Sequence, residues 1–287
     1  MTSEVQKYDE AYRTCQVCGS DRIRLIHEDF RENRIFSCEQ CSVQFMNPVY
    51  TDEYLQAYYA GYYGGGVAHP SIVKAQEKDN EIKFHFIDKF ISASGTALDF
   101  GCGNGNFSAY AKNRGWDVTG YDVDCEAMSE VAARHGIRVE SGSLALVDWK
   151  GSKFDLIHAH HVVEHLKNPV QALKLLNNLL TDRGFLYVAV PNINSFSARA
   201  KFLLEKVGVR RKNIGKYYDS EHHVFYYSPE SLQALLEKCG FEALLSMNAV
   251  KSTVGRSKIT EFLACDLPNR LYSNGAFFTI ARKKLPC

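Results

Sequence analysis

The chain has 287 residues, of which 45% are hydrophobic and 23% are charged, as expected for one large globular domain with a small accessory module. The formal net charge of +1 excludes a global attraction to nucleic acid or to an anionic membrane, so any charged partner must be bound locally. No apolar run is long enough to span a membrane, and the start of the chain has no apolar signal-peptide core, which together predict a cytoplasmic protein.

The front of the chain contains two CxxC pairs, and residues 1–48 are predicted to form a zinc ribbon. Nineteen residues separate the pair Cys15 and Cys18 from the pair Cys38 and Cys41. This spacing is typical of a structural zinc site, in which four thiolates converge on one ion. We expect the metal mainly to fold a segment too small to have its own core. The charges between the pairs are mixed, which disfavours RNA binding.

Residues 49–80 are predicted to form a helical cap and linker. Five tyrosines from Tyr50 to Tyr62 recur mostly at helical spacing, and three consecutive glycines at 64–66 then break the pattern. The favoured interpretation is a helix packed on the main domain. A substrate lid, whose tyrosine hydroxyls line a half-wet cleft, remains an alternative.

From residue 81 onward, short apolar runs alternate with helical patterns, which predicts an α/β domain with a doubly wound parallel sheet. The first strand, 96–100, runs directly into the glycine-rich segment 101–105 and then a helix. Glycines let a backbone approach a ligand closely, and the helix amides supply donors. The second strand ends in Asp122, seventeen residues after Gly105, where a carboxylate can accept both hydroxyls of a ribose. Together these features predict a nucleoside cofactor.

The glycine spacing distinguishes two classes of cofactor. A dinucleotide fingerprint reads GxGxxG, whereas this chain reads GxGxG followed by Asn106 and Phe107. With Asp99 just before the glycines, the segment resembles motif I of the class I S-adenosylmethionine-dependent methyltransferases. The resemblance implies a Rossmann-like sheet of seven strands and S-adenosylmethionine as cofactor. A sulfonium nucleoside has no pyrophosphate to neutralise, so acidic neighbours fit it better than a nicotinamide or flavin dinucleotide.

The resemblance continues from residue 82 to residue 284. It is greatest to the subgroup with ubiquinone-biosynthesis O-methyltransferases and natural-product and sugar methyltransferases, whose members include similar cysteine-rich front segments ending in NPVY. Later strands are expected at 154–157 and 184–192, a serine-capped helix at Ser228, and a closing antiparallel pair at 241–247 and 275–281. The family often has an acidic residue at the position of Ser143. The resemblance implies cofactor contacts from Asp99, Gly101, Cys102, Gly103, Asn104, Gly105, Phe107, Asp122, Val123, Ser143, Leu144 and His160.

The segment HAHHVVEH, residues 158–165, leaves the carboxyl end of the fourth strand, where open α/β sheets bind their ligands. His158 is expected to point inward as a structural histidine, and His160 to meet the cofactor mainly through its backbone. If a helix begins directly after the strand, His161, Glu164 and His165 stand at i, i+3 and i+4 and share one face.

These three residues also match the inverted zinc-protease signature HxxEH, but a protease needs that motif inside a long helix. Ubiquinone-type O-methyltransferases are similar here, with Glu-x-x-Glu-His, which implies a divalent metal. In this chain His161 replaces the first carboxylate, which disfavours magnesium and leaves a softer metal or none. Glu164 could instead only anchor the helix start.

Methyl transfer to a hydroxyl needs a group that removes a proton, and the reference pKa of histidine suits that role. His161 or His165 is the first choice for this base. His222 and His223, in a loop before the capped helix, are the next candidates, and they could equally only brace the loop.

The predicted insertion 196–219 carries seven basic and two acidic residues. It is either a solvated helix face or a lid that binds an anionic handle, such as a diphosphate or a phosphopantetheine. The leading hypothesis is O-methylation of a small molecule. The alternatives are C- or N-methylation of a nucleotide sugar, an RNA methyltransferase that docks through the ribbon, and a non-catalytic binding protein. The sequence does not fix the oligomeric state.

Overall fold

The computed structural model describes residues 6–29, 32–59, 70–207, 218, 222–248 and 275–284. Tyr62, the glycines at 64–66 and positions 208–217 of the predicted lid lie outside the described residues. Within the described ranges, no helix is both long and apolar enough to cross a bilayer.

The front of the chain folds into a small antiparallel sheet followed by two helices. Tyr50 and Tyr54, the first tyrosines of the predicted helical cap, stack on each other with ring centroids 4.6 Å apart. Eight residues of the tyrosine segment, Asp52–Tyr59, form a helix, and the role of that segment as a cap stays a prediction. The elements are β1 (Ile23–Glu28), β2 (Arg34–Cys38), β3 (Gln44–Met46), α1 (Asp52–Tyr59) and α2 (Pro70–Ile87).

The main domain alternates strands and helices, as the sequence pattern predicts. Short 3₁₀ turns at Glu126–Met128 and Val163–His165 interrupt the alternation. The elements are β4 (Thr96–Phe100), α3 (Asn106–Asn113), β5 (Asp117–Asp122), α4 (Ser129–His135), β6 (Arg138–Ser141), β7 (Phe154–His160), α5 (Pro169–Leu179), β8 (Leu180–Pro191), α6 (Phe196–Lys206), β9 (Phe225–Tyr226), α7 (Pro229–Lys238), β10 (Phe241–Asn248) and β11 (Ala276–Lys283).

Seven strands form one sheet in the order β10-β11-β8-β7-β4-β5-β6. The five adjacent strands β8, β7, β4, β5 and β6 are parallel to one another, whereas β11 runs antiparallel to both of its neighbours, β8 and β10. This confirms the predicted seven-stranded Rossmann-like sheet. The chain leaves β4 toward β5 on one side and returns on the other side as β7, so a crevice opens at the carboxyl end of β4.

Apolar side chains cover both faces of this sheet. Phe84 on α2 and Phe107 on α3 belong to the core on one face, and Leu173 on α5 and Leu235 on α7 belong to the core on the other. The predicted cap of α7 is confirmed, because the side chain of Ser228 accepts a hydrogen bond from the third residue of the helix. The packed helices hold the strand ends in a fixed register.

The front sheet contains a strand from the main domain. Its order is β1-β2-β3-β9, and β3 pairs with β9 through Gln44 opposite Tyr226 and Phe45 opposite Phe225. Phe45 and Phe225 belong to the same buried cluster as Leu235 of α7. The expectation of a ribbon folded mainly by its metal is therefore incomplete, because the front segment also shares a core with the main domain.

Candidate functional site

The glycine loop, residues 101–105, joins β4 to α3 at the crevice. Gly101, Gly103 and Gly105 have φ values of 77°, 49° and 75°, a region that favours glycine. The amide of Gly101 donates to the carbonyl of Tyr121 over 2.7 Å. A Cβ atom at Gly101 would lie 2.1 Å from a methyl group of Val162. The loop backbone at Gly101 thus packs directly against the side chain of Val162, the residue before the 3₁₀ turn.

Asp122 ends β5 beside this loop. One carboxylate oxygen accepts the amide of Gly103 at 2.9 Å, and the other accepts the amide of Val123 at 2.8 Å. Burial raises the pKa of Asp122 above its usual value, and the backbone donors oppose that shift. A carboxylate has about four acceptor sites, so Asp122 can still accept a hydrogen bond from a ligand hydroxyl.

A buried network of hydrogen bonds connects the strands and the helix on either side of the glycine loop. The carboxylate of Asp99 is 2.8 Å from Nδ1 of His158 and accepts the hydroxyl of Ser108 at 2.6 Å. The ring of His158 stacks on Phe107 with centroids 3.5 Å apart. The predicted inward, structural role of His158 is confirmed, since only 3% of it is exposed. Both oxygens of Asp99 have partners within the protein, and its contact with a cofactor stays a prediction.

The other predicted cofactor residues surround the same crevice. Cys102 is buried within the loop, whereas Asn104 and Val123 are exposed at its rim. Ser143 and Leu144 follow β6, in a turn held by a hydrogen bond from the hydroxyl of Tyr121 to the carbonyl of residue 142. These positions are compatible with cofactor contacts, and the contacts themselves remain predictions.

His160 is the last residue of β7 and is half-buried. Burial is the main cause that lowers its pKa well below the ordinary value, and the positive charge of Lys83 and the neighbouring imidazoles add to the effect. Its ring meets that of His161 edge-on, with centroids 4.4 Å apart. A neutral imidazole therefore lies between the glycine loop and the histidines that follow.

His161 and Glu164 form a pair at the start of the 3₁₀ turn. Nδ1 of His161 is 3.0 Å from Oε1 of Glu164. The imidazole is 41% exposed while the carboxylate is 1% exposed, and Oε2 is buried with no hydrogen-bond partner among the described residues. His161 has a φ of 56°, and its amide donates to the carbonyl of Ala189 on β8 at 2.9 Å. The main chain of His161 is thus held in a conformation that is strained for a residue with a side chain, and its ring is partly open to solvent.

His165 does not join this pair, which corrects the expectation that His161, Glu164 and His165 share one face. The segment forms a 3₁₀ turn, in which residues i and i+3 eclipse while i+4 points elsewhere. Among the described residues, the ligand atoms of these three do not gather into a group that could hold a metal. The structure therefore does not support a metal at that predicted position.

His165 instead meets His222 and His223. The ring centroids lie 4.9 Å, 4.8 Å and 4.6 Å apart for the pairs 165–222, 165–223 and 222–223. Burial, followed by the two neighbouring imidazoles, lowers the pKa of His223 to about 2. We call these three residues the histidine cluster.

Sequence reasoning gave Tyr58 no individual role, although the structure places it at this cluster. Its hydroxyl is 3.1 Å from Nδ1 of His222, and the two rings stack with centroids 5.3 Å apart. Lys83 was also missed; it is buried on α2, and its ammonium group pairs with Asp79 at 3.0 Å. Helical spacing predicts which residues of α1 and α2 lie on the same side of each helix. No local sequence signal indicates what Tyr58 or Lys83 contacts.

The four cysteines of the front segment converge as predicted. The sulfur of Cys15 is 3.6 Å from that of Cys41, and the sulfur of Cys18 is 3.4 Å from that of Cys38. All four sulfurs lie within 4.8 Å of one another, and tetrahedral zinc with bonds of about 2.3 Å places its sulfurs about 3.8 Å apart. The hydrogen bond with Cys41 lowers the pKa of Cys15 to about 5. The arrangement is compatible with a small zinc module.

Comparison with known proteins places residues 75–246 in the family described as "Methyltransferase domain". The ubiquinone biosynthesis O-methyltransferase of Pseudomonas putida (strain W619) is 30% identical over 123 residues, which is 40% of this chain and 53% of that protein. The enzyme of the same name from Coxiella burnetii (strain RSA 331 / Henzerling II) is 27% identical over 122 residues, 40% of this chain and 52% of that protein. The chain spans about half the length of the curated relatives it matches.

Solved structures show the same fold at low sequence identity. The 1,6-didemethyltoxoflavin-N1-methyltransferase of Burkholderia thailandensis, solved with S-adenosylhomocysteine, has a TM-score of 0.56 and 16% identity and covers 91% of this chain and 100% of its own. The magnesium protoporphyrin IX methyltransferase of Synechocystis PCC 6803 has a TM-score of 0.52 and 15% identity, covering 81% and 97%. Because the family match spans more than half of the chain and the sheet has the seven strands that the resemblance implies, the chain belongs to the class I S-adenosylmethionine-dependent methyltransferases.

Proposed function

We propose that the protein uses S-adenosylmethionine to methylate a hydroxyl group of a small biosynthetic intermediate. The observation that carries this proposal is the arrangement at one edge of the seven-stranded sheet. The glycine loop and Asp122 follow β4 and β5, and the pair of His161 and Glu164 follows the adjacent β7. A nucleoside site beside a proton acceptor is what such a transfer requires.

The residues after β4 and β5 are proposed to bind the cofactor. The remaining acceptor sites of Asp122 suit the hydroxyls of a ribose, and the glycines at the positive-φ positions of the loop have no side chain that would obstruct a ligand. S-adenosylmethionine, when bound, supplies an already activated methyl group. The protein then mainly has to orient the acceptor and remove its proton.

His161 is proposed to be the general base. A carboxylate accepts hydrogen bonds, so Glu164 keeps the proton of His161 on Nδ1 and leaves the lone pair on Nε2. Nε2 can then take a proton from an acceptor hydroxyl, and the buried carboxylate stabilises the imidazolium that forms. Glu164 acts here as a positioning residue, since it is 1% exposed and reaches the substrate only through His161.

The substrate is proposed to carry a phosphate or diphosphate handle, as a nucleotide-activated or carrier-linked sugar does. Arg199 and Lys201 on α6 are exposed and support this proposal. Four further basic residues of the insertion, Arg210, Arg211, Lys212 and Lys216, lie outside the described residues. The four cysteines are proposed to bind one structural zinc ion, which agrees with the spacing of their sulfurs.

The test compares His161→Ala with His85→Ala, since His85 is an exposed histidine on α2. Turnover is measured as transfer of a labelled methyl group to a panel of phenols, catechols and sugar nucleotides, and cofactor affinity as binding of S-adenosylhomocysteine. Loss of a general base should lower kcat by roughly 100-fold or more while S-adenosylhomocysteine affinity stays unchanged. The control should keep both values. Full activity in His161→Ala would move the base to His165, His222 or His223.

A further inference from the structure

The histidine cluster brings together two segments that are far apart in sequence. His165 lies in the 3₁₀ turn after β7, and His222 and His223 lie in the loop before β9. One ring nitrogen from each residue lies within 4.8 Å of those of the other two. Imidazole nitrogens are ligands that zinc and similar divalent ions prefer, so three of them at this spacing form a candidate metal site.

Hydrogen bonds fix the orientation of two of these rings. Nδ1 of His165 is 3.2 Å from the carbonyl oxygen of His222. A carbonyl only accepts, so Nδ1 carries the proton and the lone pair of His165 lies on Nε2. Nδ1 of His222 is bonded to the hydroxyl of Tyr58. The hydroxyl of Tyr58 can accept from Nδ1, and His222 then has its lone pair on Nε2 as well. Histidines that bind metals are oriented in this way, by a hydrogen bond from the nitrogen that does not bind.

The backbone holds the two segments together independently of any ion. The amide of Val224 donates to the carbonyl of Glu164 at 2.9 Å, and the carbonyl of Val224 accepts the amide of Met46 on β3 at 2.8 Å. The cluster is therefore anchored to both sheets. A tetrahedral zinc ion with bonds of about 2.0 Å needs its nitrogens about 3.3 Å apart. The ligand atoms of the three histidines lie within 4.8 Å of one another, so small adjustments of the side chains on binding are enough to bring them to this spacing.

We propose that His165, His222 and His223 form a second metal site, distinct from the four cysteines, which binds zinc or a divalent ion of similar softness. Three protein ligands leave one coordination position open. The cluster lies at the carboxyl edge of the sheet, beside the pair of His161 and Glu164. The open position is therefore assigned to an oxygen of the acceptor substrate. This last assignment rests on the proposed function, whereas the metal site does not.

Magnesium does not fit this ligand set. It prefers oxygen ligands in a strict octahedral arrangement, and the three side chains offer only nitrogen. Glu164, which directly precedes His165, is already paired with His161. The proposed ligands therefore differ from the trio of His161, Glu164 and His165 that the sequence pattern suggests.

The test counts zinc bound to the full chain by native mass spectrometry after equilibration with excess zinc chloride and removal of loosely bound ion. Wild-type protein should hold two zinc ions. His223→Ala and His222→Gln should each hold one, and so should His165→Ala. The matched controls, His161→Ala and His85→Ala, should both retain two, because neither residue is a proposed ligand.

X-ray absorption at the zinc edge identifies which ion is lost. Wild-type protein should show nitrogen and sulfur ligands, and the three cluster variants should show sulfur alone, at about 2.3 Å. Binding of S-adenosylhomocysteine confirms that each variant is folded. One zinc ion in the wild type, or two in His223→Ala, would overturn the proposal. Since none of these measurements needs turnover, a failure of the metal site is distinguishable from a failure of the methyltransferase proposal.

Discussion

The glycine loop and the histidine cluster lie at the same edge of one sheet, yet they are assembled in different ways. The loop and its partner Asp122 belong to one strand–helix–strand unit, with nineteen positions between Gly103 and the carboxylate it binds. The histidine cluster joins residues 57 positions apart and is buttressed by Tyr58, which is 164 positions from His222. The first arrangement is encoded by a short pattern, whereas the second depends on how distant segments of the chain meet.

The front module accounts for part of that difference. The loop that carries His222 and His223 continues through Val224 into β9, which is the outer strand of the cysteine-containing sheet. Val224 also binds the carbonyl of Glu164. The four-cysteine segment, the 3₁₀ turn and the histidine cluster are therefore connected by backbone hydrogen bonds, although they are separate in the sequence.

The largest effect should follow from breaking this connection at Cys38. Cys38→Ser should release the zinc ion that is proposed at the four cysteines, and because β3 pairs with β9, the loss should destabilise the main domain as well as the front. We expect the free energy of unfolding to fall by about 4 kcal/mol, or the melting temperature by roughly 10 °C. Calorimetry together with zinc analysis measures both quantities.

The matched control is Cys239→Ser. Cys239 is buried in the main domain and contacts the carbonyl of Val170, which a serine hydroxyl can also do, so zinc should be retained. If Cys38→Ser loses zinc while the main domain melts at an unchanged temperature, the front module is an independent unit, and its metal does not contribute to the stability of the main domain.

A smaller effect is expected at the glycine loop, from Asp122→Ala. The substitution removes two acceptors for ribose hydroxyls and also the hydrogen bond that orients Gly103. Hydrogen bonds to a charged group contribute about 1.5 kcal/mol or more each, so the affinity for S-adenosylhomocysteine should fall on the order of 100-fold. Isothermal titration calorimetry measures this affinity directly.

Asp124→Ala provides the control, since Asp124 is an exposed carboxylate two residues away. Its affinity should stay near that of the wild type. If both variants bind S-adenosylhomocysteine equally weakly, the local negative charge determines the affinity. If both bind it as tightly as the wild type, neither residue does. Either result would contradict the assignment of Asp122 to the ribose.

The sequence predicts the regular parts of the fold more fully than the site. The alternation of strands and helices, the capped helix at Ser228 and the inward direction of His158 follow from hydrophobic pattern, capping chemistry and strand parity, which are local properties. The prediction that His161, Glu164 and His165 share one helix face was wrong, because a 3₁₀ turn replaces the expected α-helix. Over three residues, hydrophobic periodicity cannot distinguish a 3₁₀ turn from an α-helix. The pairing of β3 with β9 could not be predicted, since β9 is only two residues long.

The smallest expected effect concerns His160, which lies between the two regions. Its pKa is well below the ordinary value of 6.5 because of burial and nearby positive charge, so the unfolded chain takes up a proton first as the pH falls. The folded state should therefore lose stability below about pH 6.5, by about 1 kcal/mol at about pH 5.5. His160→Asn should remove this part of the pH dependence when unfolding by urea is compared at about pH 7.5 and about pH 5.5. His85→Asn, on an exposed side chain, should leave it intact. An unchanged slope in His160→Asn would mean that this imidazole is already solvated, and that the crevice between the glycine loop and the histidine cluster is more open than the structure indicates.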